Sequence, residues 1–263
     1  MSKKKVGVVC GGFSSEYEIS IQSGKTVFSN LDRNLWETYL ITIDSSDWTA
    51  IDDHNNKYIV SKGDFTLNDG QKNLELDVIF NAVHGAPGEN GQLAALWELL
   101  EIPFSSTDSY NAALTFNKRD CLSVLRAWNV PTAKYFELNQ GDPIDLEKIQ
   151  KTVGLPCFVK ANRAGSSFGV YKVNSANELE GSIKEAFKED HQLLIETALE
   201  GREVSVGVAK FNDTIEVFPI TEIISENDFF DYAAKYEGKS QEITPADLPE
   251  NWQNTVENWS RLI

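Results

Sequence analysis

Two short apolar runs constrain this chain more than any other feature. Residues 6–10, VGVVC, lead into Gly11-Gly12 and then a stretch with helical periodicity. Residues 78–83, VIFNAV, lead into His84-Gly85-Ala86-Pro87-Gly88-Glu89-Asn90-Gly91 and a second helical stretch at 93–100. Runs this short and apolar suit strands covered on both faces. Strand–loop–helix units repeated along a chain build a parallel sheet with helical crossovers. A third strand is expected at 38–43. The polar residues 44–70, with one apolar patch at 58–60, read as an excursion of loop and hairpin. Ligands of such sheets sit at the carboxyl ends of the strands. That singles out two loops, the one holding Glu16 and the one after Val83.

The first loop opens a helix, with Ser15 and Glu18 spaced as a capping box and Ile19, Val27 and Leu31 on its apolar face. Ser23 falls between them at the same spacing. The unpartnered N–H groups of a first helical turn suit an anion or a carboxylate. The second loop is unusually dense in chemistry for a connector. His84 directly follows a buried strand, and Glu89 stands among three glycines.

A different pattern begins near Thr107. Residues 157–170, CFVKANRAGSSFGV, run from a short strand into Lys160, then a loop of small and polar residues closed by Gly169. Glycines let backbone N–H groups approach an anion, hydroxyls donate, and the lysine supplies a point charge, so phosphate oxygens fit here. A plain hairpin loop between two strands is the competing reading, and the order of a Walker A loop is absent. The helical stretch 109–128 carries Asn117-Lys118-Arg119-Asp120, which read alone is a solvated basic pair. Strands are expected at 133–138, 170–173 and 193–196, the last ending in Glu196. Helices are expected at 145–153 and 176–187, the second with Ser175 and Glu178 as a capping box. Strands at 204–211 and 214–224 flank an Asn212-Asp213 turn, the signature of antiparallel pairing. Residues 229–238, FFDYAAKYEG, are aromatic and charged without clear periodicity and read either as a lid over a site or as a loop packed onto the core. Trp252, Val256, Trp259 and Ile263 form an apolar stripe on a helix at 251–263.

Composition excludes several classes. Over 263 residues the net charge is −16 and the pI near 4.6, which argues against nucleic acid or an anionic membrane surface as partner. Any bound polyphosphate must therefore find local positive charge. Cys10, Cys121 and Cys157 show no metal-binding or redox spacing and read as free thiols of a reducing compartment. The apolar run after Lys3-Lys4-Lys5 is too short for a signal peptide, and none approaches membrane-spanning length.

The set of motifs, in order, resembles the bacterial D-alanine–D-alanine ligases of the ATP-grasp superfamily: GGFSSEYEIS at 11–20, HGAPGENG at 84–91, NK at 117–118, VKANRAGSSFGV at 159–170, IE at 195–196, GREVSV at 201–206 and DYAAKY at 231–236. The resemblance implies an α/β, ATP-grasp protein. A Rossmann-like parallel-sheet substrate domain would span 1–107, a central α+β ATP-grasp subdomain 108–196, and an incomplete C-terminal ATP-grasp subdomain 197–263. It implies an ATP-dependent reaction in a cytoplasmic, homodimeric enzyme. One D-alanine is phosphorylated on its carboxylate, and the amine of a second displaces the phosphate, for peptidoglycan precursor synthesis.

It also implies roles by residue. Lys118 and Lys160 would hold the ATP phosphates, with Lys235 reaching the transferring group from the lid. Ser166 would join Glu16 and Tyr236 in a hydrogen-bonded set. Glu16 would pair with the first D-alanine's ammonium, and His84 would stand near its carboxylate. Glu196 and the backbone from Thr197 would face adenine, and Glu203 the ribose. Thr197 departs from a frequent lysine at that position. Tyr236 disfavours an ester-forming D-alanine–D-lactate ligase, whose lid tends to carry histidine there. The Mg²⁺ ligands of the family lie beyond the equivalent of Ile263, and no metal ligand is identified among these residues. The 263 residues alone are therefore expected to be inactive, a nucleotide-binding fragment. Were a metal held here, Glu196, Glu203 and Glu222 would be the first to consider.

Overall fold

The computed structural model describes residues 3–225 and 240–263. Contacts divide the chain into two compact units, Met1–Cys121 with Asn162–Gly165, and Leu122–Ala161 with Ser166–Ile263.

The first unit is built on β1 (Lys4–Gly11), whose last six residues are all buried. It runs parallel to β2 (Trp36–Ile43) on one side and β7 (Val78–Asn81) on the other. The parallel centre expected from the two apolar runs is therefore present. The hairpin part of the expected 44–70 excursion is present and extends further than a loop with one hairpin. It forms β3 (Trp48–Asp52), β4 (Lys57–Val60) and β5 (Leu67–Asn68), joined by β6 (Asn73–Leu74), and these continue the same sheet antiparallel in the order β6-β5-β4-β3-β2-β1-β7. These strands hide in the sequence because each is short and buries only Ala50, Val60 or Leu67. Their polar residues close the turns instead. Asp52 accepts from the backbone N–H of His54 and Asn56, and Asp69 from those of Gln71 and Lys72.

Helix α1 (Tyr17–Asn30) packs on β1 at Gly24, where an added Cβ would lie 2.5 Å from Cys10 Cβ. The expected capping box does not form. The helix starts two residues later than Ser15, with Glu16 at the N-cap and no side-chain capping bond. Helix α2 (Gln92–Leu99) contributes Trp97, fully buried and edge-on to Phe65 at 5.6 Å. Beyond α2 a single parallel bridge joins Phe104 to Ile79 of β7.

The helical stretch 109–128 is two helices. Helix α3 (Ser109–Phe116) is capped by Asp108, which accepts from Asn111 N–H at 2.9 Å. Asn117 is extended at φ −87°, ψ 101°, and α4 (Lys118–Ala127) begins after it. The Asn117 side chain accepts from Asp120 N–H at 3.2 Å, so it serves the new helix as a cap in place of continuing the old one.

In the second unit β8 (Tyr135–Asn139), β9 (Cys157–Ala161), β10 (Val170–Val173) and β11 (Gln192–Thr197) pair antiparallel in the order β10-β9-β11-β8. Cys157, Val159 and Ala161 alternate inward, with Leu193 and Ile195 beside them. Ile149 and Val153 of α5 (Leu146–Val153) and Leu179 and Ile183 of α6 (Ala176–Ala186) complete that core. The Ser175–Glu178 box is present, since Glu178 accepts from the backbone N–H groups of Asn174 and Ser175.

The two long strands expected at 204–211 and 214–224 are each broken. β12 (Glu203–Ser205) pairs with β15 (Thr221–Ser225), which also pairs with β16 (Ser240–Ile243). β13 (Val208–Phe211) pairs with β14 (Thr214–Val217) across Asn212 and Asp213, both left-handed at φ 46° and 65°. The break falls where the Phe218 ring lies 2.9 Å from the place a Cβ on Gly207 would take. Pro219 follows, with no N–H to give a ladder. Helix α7 (Glu250–Leu262) carries the expected apolar stripe, but none of its residues is buried.

Candidate active site

In the first unit the backbone of the loop after β1 is tied both to the end of β2 and to the loop after β7. Gly12 N–H donates to Ile43 O and Phe13 N–H to Ala86 O, both at 2.8 Å. Ser20, fully buried on α1, accepts from Gly11 N–H at 2.8 Å and donates to Ala82 O at 2.7 Å, clamping the two strand ends. Ser14 Oγ donates to His84 O at 3.0 Å. The His84 ring meets Ser23 Oγ through Nε2, also at 3.0 Å, so the serine in the apolar face of α1 faces the histidine of the second loop. Glu89 folds back on that loop and accepts from Gly85 N–H at 2.7 Å.

Glu16 is the centre of this arrangement. Its side chain is 3% exposed, and its carboxylate accepts from Gly165 N–H at 3.2 Å. The approach requires glycine, because a Cβ at Gly165 would stand 2.8 Å from Glu16 Oε1. Lys118 reaches the same loop segment, its ammonium donating to Ala164 O at 2.6 Å and Asn162 O at 3.4 Å. A cavity of about 430 Å³ opens beside them, lined in part by Asn81, Glu89, Ser106, Thr107, Lys118 and Gly165. The structure thus brings Glu16, the histidine loop, Lys118 and the start of the Gly/Ser loop into one unit. Lys118, a solvated base by its sequence context alone, is half-buried against loop carbonyls.

In the second unit Lys160 leaves β9 toward β11 and forms an ion pair with Glu196. The pair is a quarter exposed or less on each side. The resemblance places these two residues at opposite ends of a nucleotide, phosphate and adenine. Here they face each other in one ion pair. Thr197 Oγ1 donates to Val153 O at 2.6 Å and anchors the end of β11. Ser166 and Ser167 are both left-handed, at φ 48° and 64°. Glu203 stands exposed on β12, and Glu222 is held by Arg202 in a bidentate pair at 2.6 Å. That guanidinium lowers the Glu222 carboxyl below its ordinary range. Lys235 and Tyr236 lie outside the described residues.

Sequence reading missed Ser20, Ser14 and Asn162. The first had a usable signal, a small hydroxyl in the apolar face of a helix. The other two had none, since their partners are distant in sequence. Among the described residues no group of three or more His, Cys, Asp or Glu side chains could hold a metal ion. All three cysteines are free thiols, with Cys10 and Cys157 buried. Among the described residues no helix is long and apolar enough to cross a membrane.

A parallel α/β unit with glycine-closed strand ends, followed by an antiparallel sheet carrying a lysine and a Gly/Ser loop, is the ATP-grasp arrangement. Comparison with known proteins gives the family. A model described as "D-ala D-ala ligase N-terminus" matches residues 5–107, and one described as "D-ala D-ala ligase C-terminus" matches residues 124–263. The D-alanine–D-alanine ligase of Flavobacterium johnsoniae is 49% identical over 253 residues, covering 96% of this chain and 78% of that protein. The one of Christiangramia forsetii is 48% identical over 261 residues, covering 99% and 80%. Among solved structures, D-alanyl-alanine synthetase A of Vibrio cholerae superposes with a TM-score of 0.84 at 27% identity, covering 99% of this chain and 80% of that one. VanG D-Ala:D-Ser ligase of Enterococcus faecalis gives 0.79 at 27% identity, covering 98% and 81%. The chain belongs to the D-alanine–D-alanine ligase family.

Proposed function

We propose that the protein joins two D-alanines to D-alanyl-D-alanine at the expense of ATP, in the cytoplasm, for peptidoglycan precursor synthesis. A D-alanine carboxylate oxygen attacks the γ-phosphorus, and ADP leaves with the bridging oxygen. The amine of a second D-alanine attacks the acyl carbon, loses a proton, and inorganic phosphate departs. The observation that carries the reading is Glu16, a buried carboxylate held by Gly165 N–H beside Lys118. A buried carboxylate on the loop after β1 suits the ammonium of the first D-alanine, the role that the family resemblance implies for Glu16. His84, oriented by Ser23, would meet that substrate's carboxylate.

Lys118 and Lys160 would neutralise the nucleotide phosphates, and Ser166 would donate from the Gly/Ser loop, aided by Lys235 and Tyr236. Glu196, Thr197 and Glu203 would receive adenine and ribose. Mg²⁺ would supply charge neutralisation at the nucleotide phosphates, and no ligand set for it stands among the described residues. The division at 107/108 and 196/197 and a homodimeric assembly belong to the same proposal.

The test is phosphate release by the full-length protein with ATP and Mg²⁺, with and without D-alanine, alongside identification of the product. Phosphate release dependent on D-alanine, one phosphate per D-alanyl-D-alanine, is expected. VanG, a D-Ala:D-Ser ligase, shares the fold at 27% identity, so D-serine and D-lactate are offered as competing acceptors. Preference for either at neutral pH would replace the dipeptide assignment. ATP binding without D-alanine-dependent turnover would reduce the protein to a nucleotide-binding module.

A further inference from the structure

Asn162 is a fully buried polar side chain that the proposed reaction does not use. It sits two residues after Lys160, in the strand-to-loop segment that enters the first unit. Its amide nitrogen donates to Asn117 Oδ1 at 2.9 Å, and its amide oxygen accepts from Arg119 N–H at 3.0 Å. Its main-chain carbonyl accepts from Lys118 N–H at 3.3 Å and from the Lys118 ammonium at 3.4 Å. One residue thus holds three consecutive residues, 117–119, at the start of α4.

A helix start leaves its first N–H groups without intrahelical partners. In α4 those of Lys118 and Arg119 are satisfied by Asn162, and that of Asp120 by Asn117. The helix is therefore capped jointly by its own Asn117 and by a residue 45 positions away. We propose that Asn162 is a positioning residue that fixes the first turn of α4, and with it Lys118, to the start of the Gly/Ser loop, and so sets the affinity for the phosphates of ATP. The inference rests on Lys118 as a phosphate ligand. The physical reason is entropy: a lysine on a frayed helix end must be ordered when phosphate arrives, whereas a clamped one is ordered beforehand.

The experiment measures the ATP dissociation constant by calorimetry for the unaltered protein, Asn162→Ala, Lys118→Ala and the double variant, with a thermal melt of each. Asn162→Ala is expected to weaken ATP binding about tenfold, the scale of one or two lost hydrogen bonds. In the Lys118→Ala background the same change should add less than about twofold, because the residue it orients is gone. A merely structural role would give equal effects in both backgrounds, and that result overturns the inference. So does an Asn162→Ala affinity within about twofold of the unaltered protein while Lys118→Ala weakens binding. If Lys118→Ala itself binds ATP normally, the phosphate reading falls first, and the inference with it. Asn162→Asp keeps the acceptor for Arg119 N–H and loses the donor to Asn117. It is held to the same criteria where the alanine variant does not melt cooperatively.

Discussion

In the proposed reaction Lys118 and Lys160 both meet the phosphates of an arriving nucleotide. Lys118 donates to two loop carbonyls, neutral acceptors. Lys160 is already charge-paired with Glu196. A charge-assisted contact to phosphate is worth roughly 1.5–3 kcal/mol, so replacing either lysine by alanine should weaken ATP binding by about one to two orders of magnitude. Glu196→Gln removes the carboxylate paired with Lys160 while leaving an amide in place, and should tighten binding of the nucleoside triphosphate relative to adenosine. Calorimetry with both ligands reads this directly, and an unchanged ratio would show that the ion pair opens without cost. The cysteines give a second prediction. Burial pushes the Cys10 and Cys157 thiols from an ordinary 9.0 up to about 11. Between those values the unfolded chain ionises first, so stability present below pH 9 is lost as pH rises toward 11. The melting temperature should therefore fall over that interval. At pH 8 a thiol reagent should label neither residue until the protein is unfolded.

At the scale of elements, the close contacts decide where substitutions are tolerated. An added methyl at Gly24 of α1 would meet Cys10 Cβ at 2.5 Å and Sγ at 2.8 Å, both on rigid β1. Alanine has the better helix propensity by about 1 kcal/mol, yet overpacking costs roughly 1–3 kcal/mol. Gly24→Ala should therefore be neutral to destabilising by about 2 kcal/mol, read by denaturant unfolding, and a gain in stability would mean that α1 slides freely on the sheet. The same close fit separates what the sequence tells from what it hides. The parallel centre was legible because residues 6–10 of β1 and 78–80 of β7 are unbroken by polar side chains, and the α6 cap because Ser175 and Glu178 satisfy each other locally. The strands between residues 48 and 74 were hidden because none buries more than one residue. The breaks at Asn117 and Gly207 were hidden because each depends on a partner elsewhere in the chain, Asn162 in one case and Phe218 in the other. Of the candidate site, the loops and lysines were legible as motifs. The Glu16–Gly165 contact, 149 residues apart in sequence, was not legible from spacing.

Over the whole molecule, burial is unevenly spread. The first unit encloses Ile41, Leu67, Ile79, Leu93 and Trp97, and the second encloses Val159, Ile183, Leu193 and Ile195, all fully buried. Among the described residues from 200 onward, Ile220 alone is buried. The hairpin of β13 and β14 has Phe211 and Ile215 about half exposed, and α7 has no buried residue. A two-stranded hairpin is marginal in water without a core beneath it. Local opening follows the amount of apolar surface that must be uncovered, so the protein should exchange its amide hydrogens in tiers. Amides of β1, β2, β9 and β11 should exchange most slowly, through openings close to global unfolding. Those of 208–217 and 250–262 should exchange on the order of 100-fold faster or more, through openings of low free energy. Exchange followed by mass spectrometry on peptides from these segments measures the ratio. Equal protection of the hairpin and of β9 would show that residues 208–217 share in the global cooperative unit despite their exposure. Stability would then have to come from the pairing of β12, β15 and β16, where Arg202 and Glu222 form the bidentate ion pair. An Arg202→Ala variant would lower both protections together in that case, and should leave β9 unaffected otherwise.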